Sequence, residues 1–288
     1  MTVVVKVGGA RAVDPAGALA DVADLVEGGE RVVVVHGGST AVDDTLEDLG
    51  EQPEYVETPS GVVGRFTDER TMEVFSMVLP GKLNTDLVVG LQNAGVNAVG
   101  LSGVDGQLLT GPRKSAVRVV EDGTRKIRRG DHSGRAERVN ADLLETLLDG
   151  GYTPVVTVPM LADDSGEWVA VNSDADRAAA AVAGALGADL VLLTDVPGVL
   201  ADLDNPGSVI DRVDSPAEYD RLTDAAEGFM TRKVMAATEA LEGDGDRPGA
   251  ASAVIADANA DAPITGALGG EGTTITPDAV GSEETDQG

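Results

Sequence analysis

Short apolar runs alternate along the chain with longer stretches of helical spacing. Val3-Val4-Val5-Lys6-Val7 is β-branched and nearly uninterrupted, the pattern of a strand buried on both faces of a parallel sheet. Arg31–Val35 and Asp189–Leu193 repeat it. Val96–Val99, Pro154–Val158, Trp168–Val171, Ala253–Ala256 and Thr273–Ile275 read as further strands. Helical spacing runs from Asp14-Pro15 to about Val26, from about Thr40 to Leu49, and over Glu69–Leu79, Lys82–Ala94, Asn140–Leu148, Asp174–Leu186 and Gly228 to about Leu241. Glu51–Gly64 reads as a loop or short hairpin, and Val117–Val120 with Thr124–Ile127 as two arms turning at Asp122-Gly123. Strands alternating with helices predict an α/β fold around a mostly parallel sheet. The 288 residues allow one large domain or two lobes. Pro277–Gly288 is acidic and poor in apolar residues, and is expected to be a disordered tail.

The strand ends carry the candidate chemistry. Gly8-Gly9 and Gly37-Gly38 each close a strand before a helix. Such turns expose backbone N–H groups to an anion; a tight turn needing positive φ accounts for one glycine of each pair. Lys6 stands inside a core strand, where a lysine is costly to bury unless it meets a charge. It reads as a phosphate-facing cation. Asn172-Ser173-Asp174-Ala175-Asp176 puts three polar side chains at alternating positions between an apolar run and an alanine-rich helix. Asp174 or Asp176 can cap that helix. One carboxylate and the Asn172 amide are left over at a strand's carboxyl end, where ligands of parallel sheets sit. Asp195 and Gly198 follow Asp189–Leu193 in the same way. Lys233 falls in the first turn of its helix, where a cation opposes the dipole and an anion would offset the cost. Gly100, Gly103 and Gly106 are spaced G-x-x-G-x-x-G, which is not the dinucleotide fingerprint, and no P-loop motif occurs. These residues describe a polyphosphate site without a P-loop, and phosphoryl transfer chiefly needs positioning and charge neutralisation. General-base candidates are few. That suits an acceptor already ionised, such as a carboxylate with a reference pKa of about 4.3, and Arg65 could bind a second carboxylate.

Composition narrows the partners. The formal net charge is −29 and the pI about 4.1, with five Lys against sixteen Arg. Acidity spread over the whole length repels itself and is tolerable where salt screens it. It reads as the cytoplasmic surface of a halophile, and argues against nucleic-acid or anionic-membrane binding. Cysteine is absent, and the two histidines, His36 and His132, argue against a zinc cluster. No long apolar run or signal-like N-terminus is evident, so a cytoplasmic location is expected. Residues 113–138 break the charge pattern. They hold Arg113, Lys114, Arg118, Arg125, Lys126, Arg128, Arg129, Arg135 and Arg138 against Glu121, Asp122, Asp131 and Glu137. In so acidic a chain, that segment points to an acidic partner.

Val-Lys6-Val-Gly8-Gly9, Val-His36-Gly37-Gly38, Arg65-Phe-Thr-Asp, Asn172-x-Asp174-x-Asp176, Leu-Thr194-Asp195-Val-x-Gly198-Val and Gly228-x-Met-x-x-Lys233 occur in the order seen in the amino acid kinase family. The sequence most resembles its N-acetylglutamate kinase branch. His-Gly-Gly-Ser, Gly-Leu-Ser-Gly-Val-Asp-Gly and the basic segment ending in Arg129-Gly130-Asp131 are similar to the archaeal [LysW]-aminoadipate/[LysW]-glutamate kinases. Over about residues 2–276 the resemblance implies a carbamate kinase-like three-layer sandwich around an eight-stranded, mostly parallel sheet. It implies an acyl-substrate and dimerisation lobe (about 1–172), an ATP lobe (about 173–276), and a homodimer. Lys6 and Lys233 would stabilise the transferring phosphoryl group, with Asp176 orienting them. Gly37, Gly38, Arg65 and Asn172 would hold the acyl substrate; Gly8, Gly9, Asp195 and Gly198 would serve ATP, whose own phosphates would hold Mg²⁺. Arg128 and Arg129 would dock an acidic amino-group carrier protein bearing the substrate. The implied reaction is ATP-dependent phosphorylation of the side-chain carboxylate of carrier-linked glutamate or 2-aminoadipate. The alternatives are an N-acetylglutamate kinase acting on the free small molecule and a non-catalytic nucleotide-binding regulator. Ser39, where a third glycine is usual, points away from a small acetylated substrate. Phe229 also departs from the family's Gly-Gly-Met.

Overall fold

Alternate residues of the first strand face two different layers of helices. The computed structural model describes residues 1–8, 15–59, 61, 63–121, 124–243 and 248–281. Its first elements are β1 (Thr2–Val7), α1 (Pro15–Glu27), β2 (Arg31–His36), α2 (Ser39–Asp48), β3 (Tyr55–Glu57), β4 (Val63–Arg65), α3 (Glu69–Met77) and α4 (Asn84–Asn93). Then come β5 (Ala98–Gly103), β6 (Leu109–Glu121), β7 (Thr124–Gly134), β8 (Arg138–Val139), α5 (Ala141–Asp149), β9 (Thr153–Asp164), β10 (Glu167–Val171) and α6 (Ala175–Leu186). The chain closes with β11 (Asp189–Thr194), β12 (Arg212–Val213), α7 (Pro216–Ala225), α8 (Phe229–Leu241), β13 (Ser252–Asp257), α9 (Pro263–Leu268), β14 (Thr273–Ile275) and α10 (Pro277–Val280).

The main sheet runs β12-β14-β13-β11-β1-β2-β9-β6-β7, with β5 and β10 also on β9 and β8 on β6. Its centre is parallel: β1 lies between β11 and β2, and β9 pairs with β2, β5 and β6. Among the described residues the sheet has twelve strands, not the eight implied by the resemblance. The β6–β7 hairpin and the short strands β8, β10 and β12 add to the parallel core. β3 and β4 form a separate two-stranded sheet.

Strand periodicity explains the layers. Val4, Val33 and Val35 bury into one cluster with Leu46 of α2, Leu144 of α5, the alanines of α6 and Val234 of α8. Val3, Val5, Val32 and Val34 bury into the other with Val22 of α1, Leu91 of α4 and Ile264 of α9. Buried Asp21 of α1 caps α9 across this second layer, its Oδ2 accepting from Ile264 N at 2.6 Å and Thr265 N at 2.8 Å.

The two helices expected over 69–94 form one run, with a π-helical stretch at Val78–Leu83 between α3 and α4. Pro80 cannot donate to the α-helical ladder, and local π-type widening accommodates such a defect. The run Glu69–Asn93 has 25 residues and is long and apolar enough to cross a membrane by length and composition alone, although Glu69, Arg70, Glu73, Lys82 and Asp86 interrupt its apolar residues. Val74, Phe75, Leu79 and Leu91 on it are buried in the core. The segment expected as a tail from Pro277 opens instead with α10, whose buried Ala279 joins the first cluster; residues 282–288 lie outside the described residues.

Candidate active site

Lys6 shares the parity of Val4 in β1, so it faces the layer holding α6 and α8. Its Nζ lies 2.7 Å from Asp176 Oδ1. Lys233 Nζ, from the first turns of α8, donates to Asp176 Oδ2 at 3.1 Å. One carboxylate thus bridges two ammonium groups from a strand and a helix far apart in sequence. Asp176 is free to do so because its neighbour does the capping. Asp174 Oδ1 accepts from Asp176 N at 2.9 Å and Arg177 N at 3.2 Å.

Helix packing fixes the bridge. The α6–α8 contact is lined by alanines, and a Cβ on Gly184 would come within 3.1 Å of Ala240 O. Beside it, Arg177 of α6 grips Glu239 of α8 with two hydrogen bonds of 2.8 and 2.6 Å. Burial alone would raise the Asp176 pKa, but the charges of Lys6 and Lys233 hold it well below the usual carboxylate range. Burial, then the charge of Lys6, pull the Lys233 pKa down, and Asp176 partly offsets them. The bridge itself holds two cations against one anion, an excess of positive charge in a largely buried recess that nearby Asp174 only moderates. A phosphoryl oxygen supplies the missing negative charge, so the residues present fit a nucleotide phosphate.

The strand β2 delivers the glycine loop to the same place. Buried His36 sets it: Nδ1 lies 3.0 Å from Gly37 O, and Nε2 lies 3.1 Å from Asn84 Nδ2, which also donates to Val155 O at 2.8 Å. Those partners require the neutral Nδ1–H tautomer. Burial agrees with it, lowering the His36 pKa to about 4, with the Gly37 carbonyl opposing and Lys6 adding to the shift. A Cβ on Gly37 would stand 3.1 Å from Ala175 Cβ, next to Asp176. A Cβ on Gly38 would come within 2.2 Å of Leu83 Cδ1 and 2.8 Å of Leu79 Cδ2, so any side chain there would push aside the Leu79 and Leu83 side chains of the π-helical stretch. Gly38 begins α2 with no side-chain cap, leaving that helix's first N–H groups without a side-chain acceptor. Gly8 closes β1 at the edge of the site; Gly9 lies outside the described residues.

Other expected residues have different surroundings. The Arg65 guanidinium pairs with Asp43 and donates to Ser39 O at 3.0 Å, Ser39 Oγ at 2.8 Å and Tyr55 Oη at 3.0 Å. It braces the residue that follows Gly38. Asn172 donates its side-chain amide to Thr67 Oγ1 at 3.4 Å. Asp195 is exposed just past β11, where Leu192 pairs with Lys6. Gly198 is buried, and Val199 N donates to Thr273 Oγ1 at 2.8 Å beside it. Among the described residues no three His, Asp or Glu side chains converge as a metal cluster.

The basic hairpin forms and is longer than its sequence pattern implied; its turn residues Asp122 and Gly123 lie outside the described residues. In its register, Ala116 is opposite Arg129, Val117 opposite Arg128, Arg118 opposite Ile127 and Val120 opposite Arg125. One face therefore carries Arg118, Arg125, Ile127 and Arg129, with Ile127 67% exposed. Arg128 is on the other face, over the Phe66 ring at 4.3 Å and bound to Glu54 at 2.6 Å through Nη2. Arg128 thus braces the hairpin, while Arg129 stays exposed.

Sequence reasoning missed Asn84, Thr67, Asp131 and Arg232. Arg232 Nη2 donates to Val63 O at 2.5 Å, tying α8 to β4, and Phe229 beside it is 81% exposed. Thr67 and Asp131 stand inside the quoted motifs and Arg232 inside the Gly228–Lys233 run, but nothing local gives them a role, and Asn84 carries no motif signal.

Known proteins share this arrangement of elements. The amino acid kinase family profile matches residues 1–255. A [LysW]-aminoadipate kinase of Deinococcus radiodurans is 45% identical over 276 residues, spanning 95% of this chain and 91% of that protein. The corresponding kinase of Thermus thermophilus is 44% identical, over 95% and 99% of the two chains. An acetylglutamate kinase of Methanopyrus kandleri is 43% identical, over 94% and 99%. Among solved structures, carbamate kinase from Giardia lamblia bound to AMP-PNP superposes with a TM-score of 0.67 at 17% identity, over 96% of this chain and 98% of that one. N-acetylglutamate synthase from Neisseria gonorrhoeae gives 0.71 at 25% identity; the match covers 96% of this chain but 59% of the synthase.

Proposed function

The chain belongs to the amino acid kinase family, and from that we propose that it is an ATP-dependent kinase acting on a carrier-linked amino acid. It phosphorylates the side-chain carboxylate of glutamate or 2-aminoadipate whose amino group is held by a small acidic carrier protein. The observation that carries this reading is the bridge of Lys6 and Lys233 on Asp176. A carboxylate oxygen of the acceptor attacks the terminal phosphorus of ATP, the bond to the bridging oxygen breaks, and ADP leaves. Lys6 and Lys233 neutralise charge on the transferring group, and Asp176 keeps both lysines aimed at it. No group need deprotonate the acceptor at neutral pH. Gly37, Gly38 and Asn172 meet the acceptor, with Arg65 shaping the loop through Ser39. Gly8, Gly9, Asp195 and Gly198 serve the nucleotide, whose phosphates bring Mg²⁺.

Similarity to two [LysW]-aminoadipate kinases at 44–45% identity supports the carrier. So does the outward basic face of β6–β7. Arg118, Arg125 and Arg129 around Ile127 offer charge plus an apolar anchor to an acidic protein. Exposed Met77 and Val89 on the α3–α4 run support a homodimer through the N-terminal lobe. A second reading, phosphorylation of free N-acetylglutamate, is favoured by the similarity to the Methanopyrus kandleri protein. The test is an ATP-dependent phosphorylation assay on purified carrier loaded with glutamate, carrier loaded with 2-aminoadipate, and free N-acetylglutamate. Turnover confined to the free compound overturns the carrier reading.

A further inference from the structure

We propose that Asp131 is a positioning residue of the acceptor pocket, holding Asn172 in place through a junction of three chain segments. This rests on the reading that Asn172 meets the acceptor. Asp131 lies near the end of β7 and is 1% exposed. Its Oδ1 accepts from Thr67 N at 3.2 Å, and its Oδ2 accepts from Ser133 Oγ. Thr67 follows Arg65-Phe66; Ser133 bridges to Asn172, which follows β10.

All three segments close on Asn172. His132 N donates to Thr67 O at 2.7 Å, Asn172 N to His132 O at 2.8 Å, and Gly134 N to Asn172 O at 2.8 Å. The Asn172 side chain returns to Thr67 Oγ1. Asp131 is the acid within this knot. Arg113, paired with Asp164, donates to the Asp131 backbone carbonyl at 3.4 Å and brings a positive charge close by. A buried carboxylate that only filled space would be a costly choice beside an apolar isostere. Here it joins donors from two segments, and both segments hold Asn172. The hairpin that offers the basic face is therefore rooted in the acceptor pocket.

Asp131→Asn keeps an oxygen for Thr67 N–H and offers an amide to the Ser133 hydroxyl, so it retains the junction. Asp131→Ala loses both bonds. Its KM for loaded carrier should rise about tenfold or more, the scale of one or two lost bonds to a charged group. KM for ATP should stay within about twofold. Asp131→Asn should restore most of the loss. Ser133→Ala removes the hydroxyl that Asp131 Oδ2 accepts from and leaves Asn172 its acceptor on Thr67, and it should raise carrier KM alone; it carries the test if Asp131→Ala fails to fold. Amide hydrogen exchange gives a readout independent of the acceptor. In Asp131→Ala, or in Ser133→Ala where that variant does not fold, protection at His132, Gly134 and Asn172 should fall, while α8 stays unchanged. Unchanged carrier KM in Asp131→Ala, or in Ser133→Ala where the former does not fold, or equal rises for carrier and ATP, overturns the proposal. Wild-type protein that phosphorylates no loaded carrier defeats the functional reading by itself. In that case unchanged exchange at Asn172 in Asp131→Ala still defeats the junction.

Discussion

Arg128 and Arg129, neighbours in sequence, leave β7 on opposite faces of its hairpin. Arg128 stacks on Phe66 and pairs with Glu54; Arg129 stands exposed on the face that carries Arg118, Arg125 and Ile127. Reversing their charges should therefore separate two effects. Arg129→Glu should raise KM for loaded carrier several-fold at moderate salt and leave thermal unfolding unchanged. Arg128→Glu exchanges a cation–π contact and an ion pair for repulsion from Glu54, and should cost about 1 kcal/mol of stability. Kinetics on loaded carrier and thermal melts of the two variants check this. A carrier KM unmoved by Arg129→Glu removes the outward face from docking.

The bridge on Asp176 predicts unequal roles for its members. Lys6→Ala and Lys233→Ala should each lower kcat about a hundredfold or more, the scale for losing one preorganised charge stabiliser. Asp176→Ala leaves two buried cations facing each other and should also cost about 3–5 kcal/mol of stability. Steady-state kinetics and denaturant melts on the three variants separate the outcomes. Near-normal turnover in either lysine variant excludes that lysine from the chemistry.

Lys233 sets an alkaline limit. Its folded pKa lies below the ordinary lysine value, so its charge is lost earlier on raising pH than in the unfolded chain. The unfolded state then binds more protons across that window, so this group's contribution to stability rises with pH there. Activity should do the opposite. The alkaline limb of kcat/KM, which reports the free enzyme, should fall below the pH expected of an unperturbed lysine. Activity holding flat through that range would mean that Lys233 is not needed as a cation.

His36 makes a separate acid prediction. Its pKa is lowered to about 4 from 6.5, chiefly by burial. On acidification below about 6.5 the unfolded chain takes up a proton first. The linked stability is present near neutrality and lost between those values, by up to about 3 kcal/mol. Denaturant melts at pH 7 and pH 4.5 measure it. His36→Gln should lose less on that shift than wild type, and equal losses would contradict the buried neutral imidazole.

The first strands, the Gly37-Gly38 turn and the two lysines that meet on Asp176 were legible because their patterns are local. A lysine among valines is anomalous by burial cost alone, and period-2 geometry sends it to one face. Which aspartate capped α6 was not legible: Asp174 and Asp176 are equivalent in a string, and only helix entry geometry distinguishes them. Arg65 read as a free cation because Asp43 and Tyr55 are far from its motif in the helix and hairpin that brace it. That Arg128 is engaged within the protein was hidden for a similar reason. A hairpin's register shows which arginine faces outward, and Glu54 and Phe66 then claim the inward one. The π-helical stretch was missed because Pro80-Gly81 reads as a break, whereas the surrounding core keeps the helix continuous. The twelve-stranded count was hidden in strands as short as Arg138–Val139 and Arg212–Val213.

Surface charge gives the last prediction. The net charge of −29 is spread over a chain of 288 residues. Several acidic groups have cationic partners, such as Asp43, Glu239 and Asp176, but the excess remains far larger than such pairs can balance. At low ionic strength the Debye length is about 30 Å at 0.01 M, comparable with a domain, and the excess charges repel one another across the fold. At molar salt it shrinks to about 3 Å, and repulsion between separate surface groups disappears. Close pairs such as Lys6–Asp176 are buried and lose little by this screening. The melting temperature should therefore climb steeply from 10 mM to molar KCl, while the Lys6 and Lys233 variants retain the same salt dependence as wild type. Sodium and potassium chloride should act alike if screening is the cause. A melting temperature indifferent to salt would rule out adaptation to a salty cytoplasm and leave the acidity without a physical account.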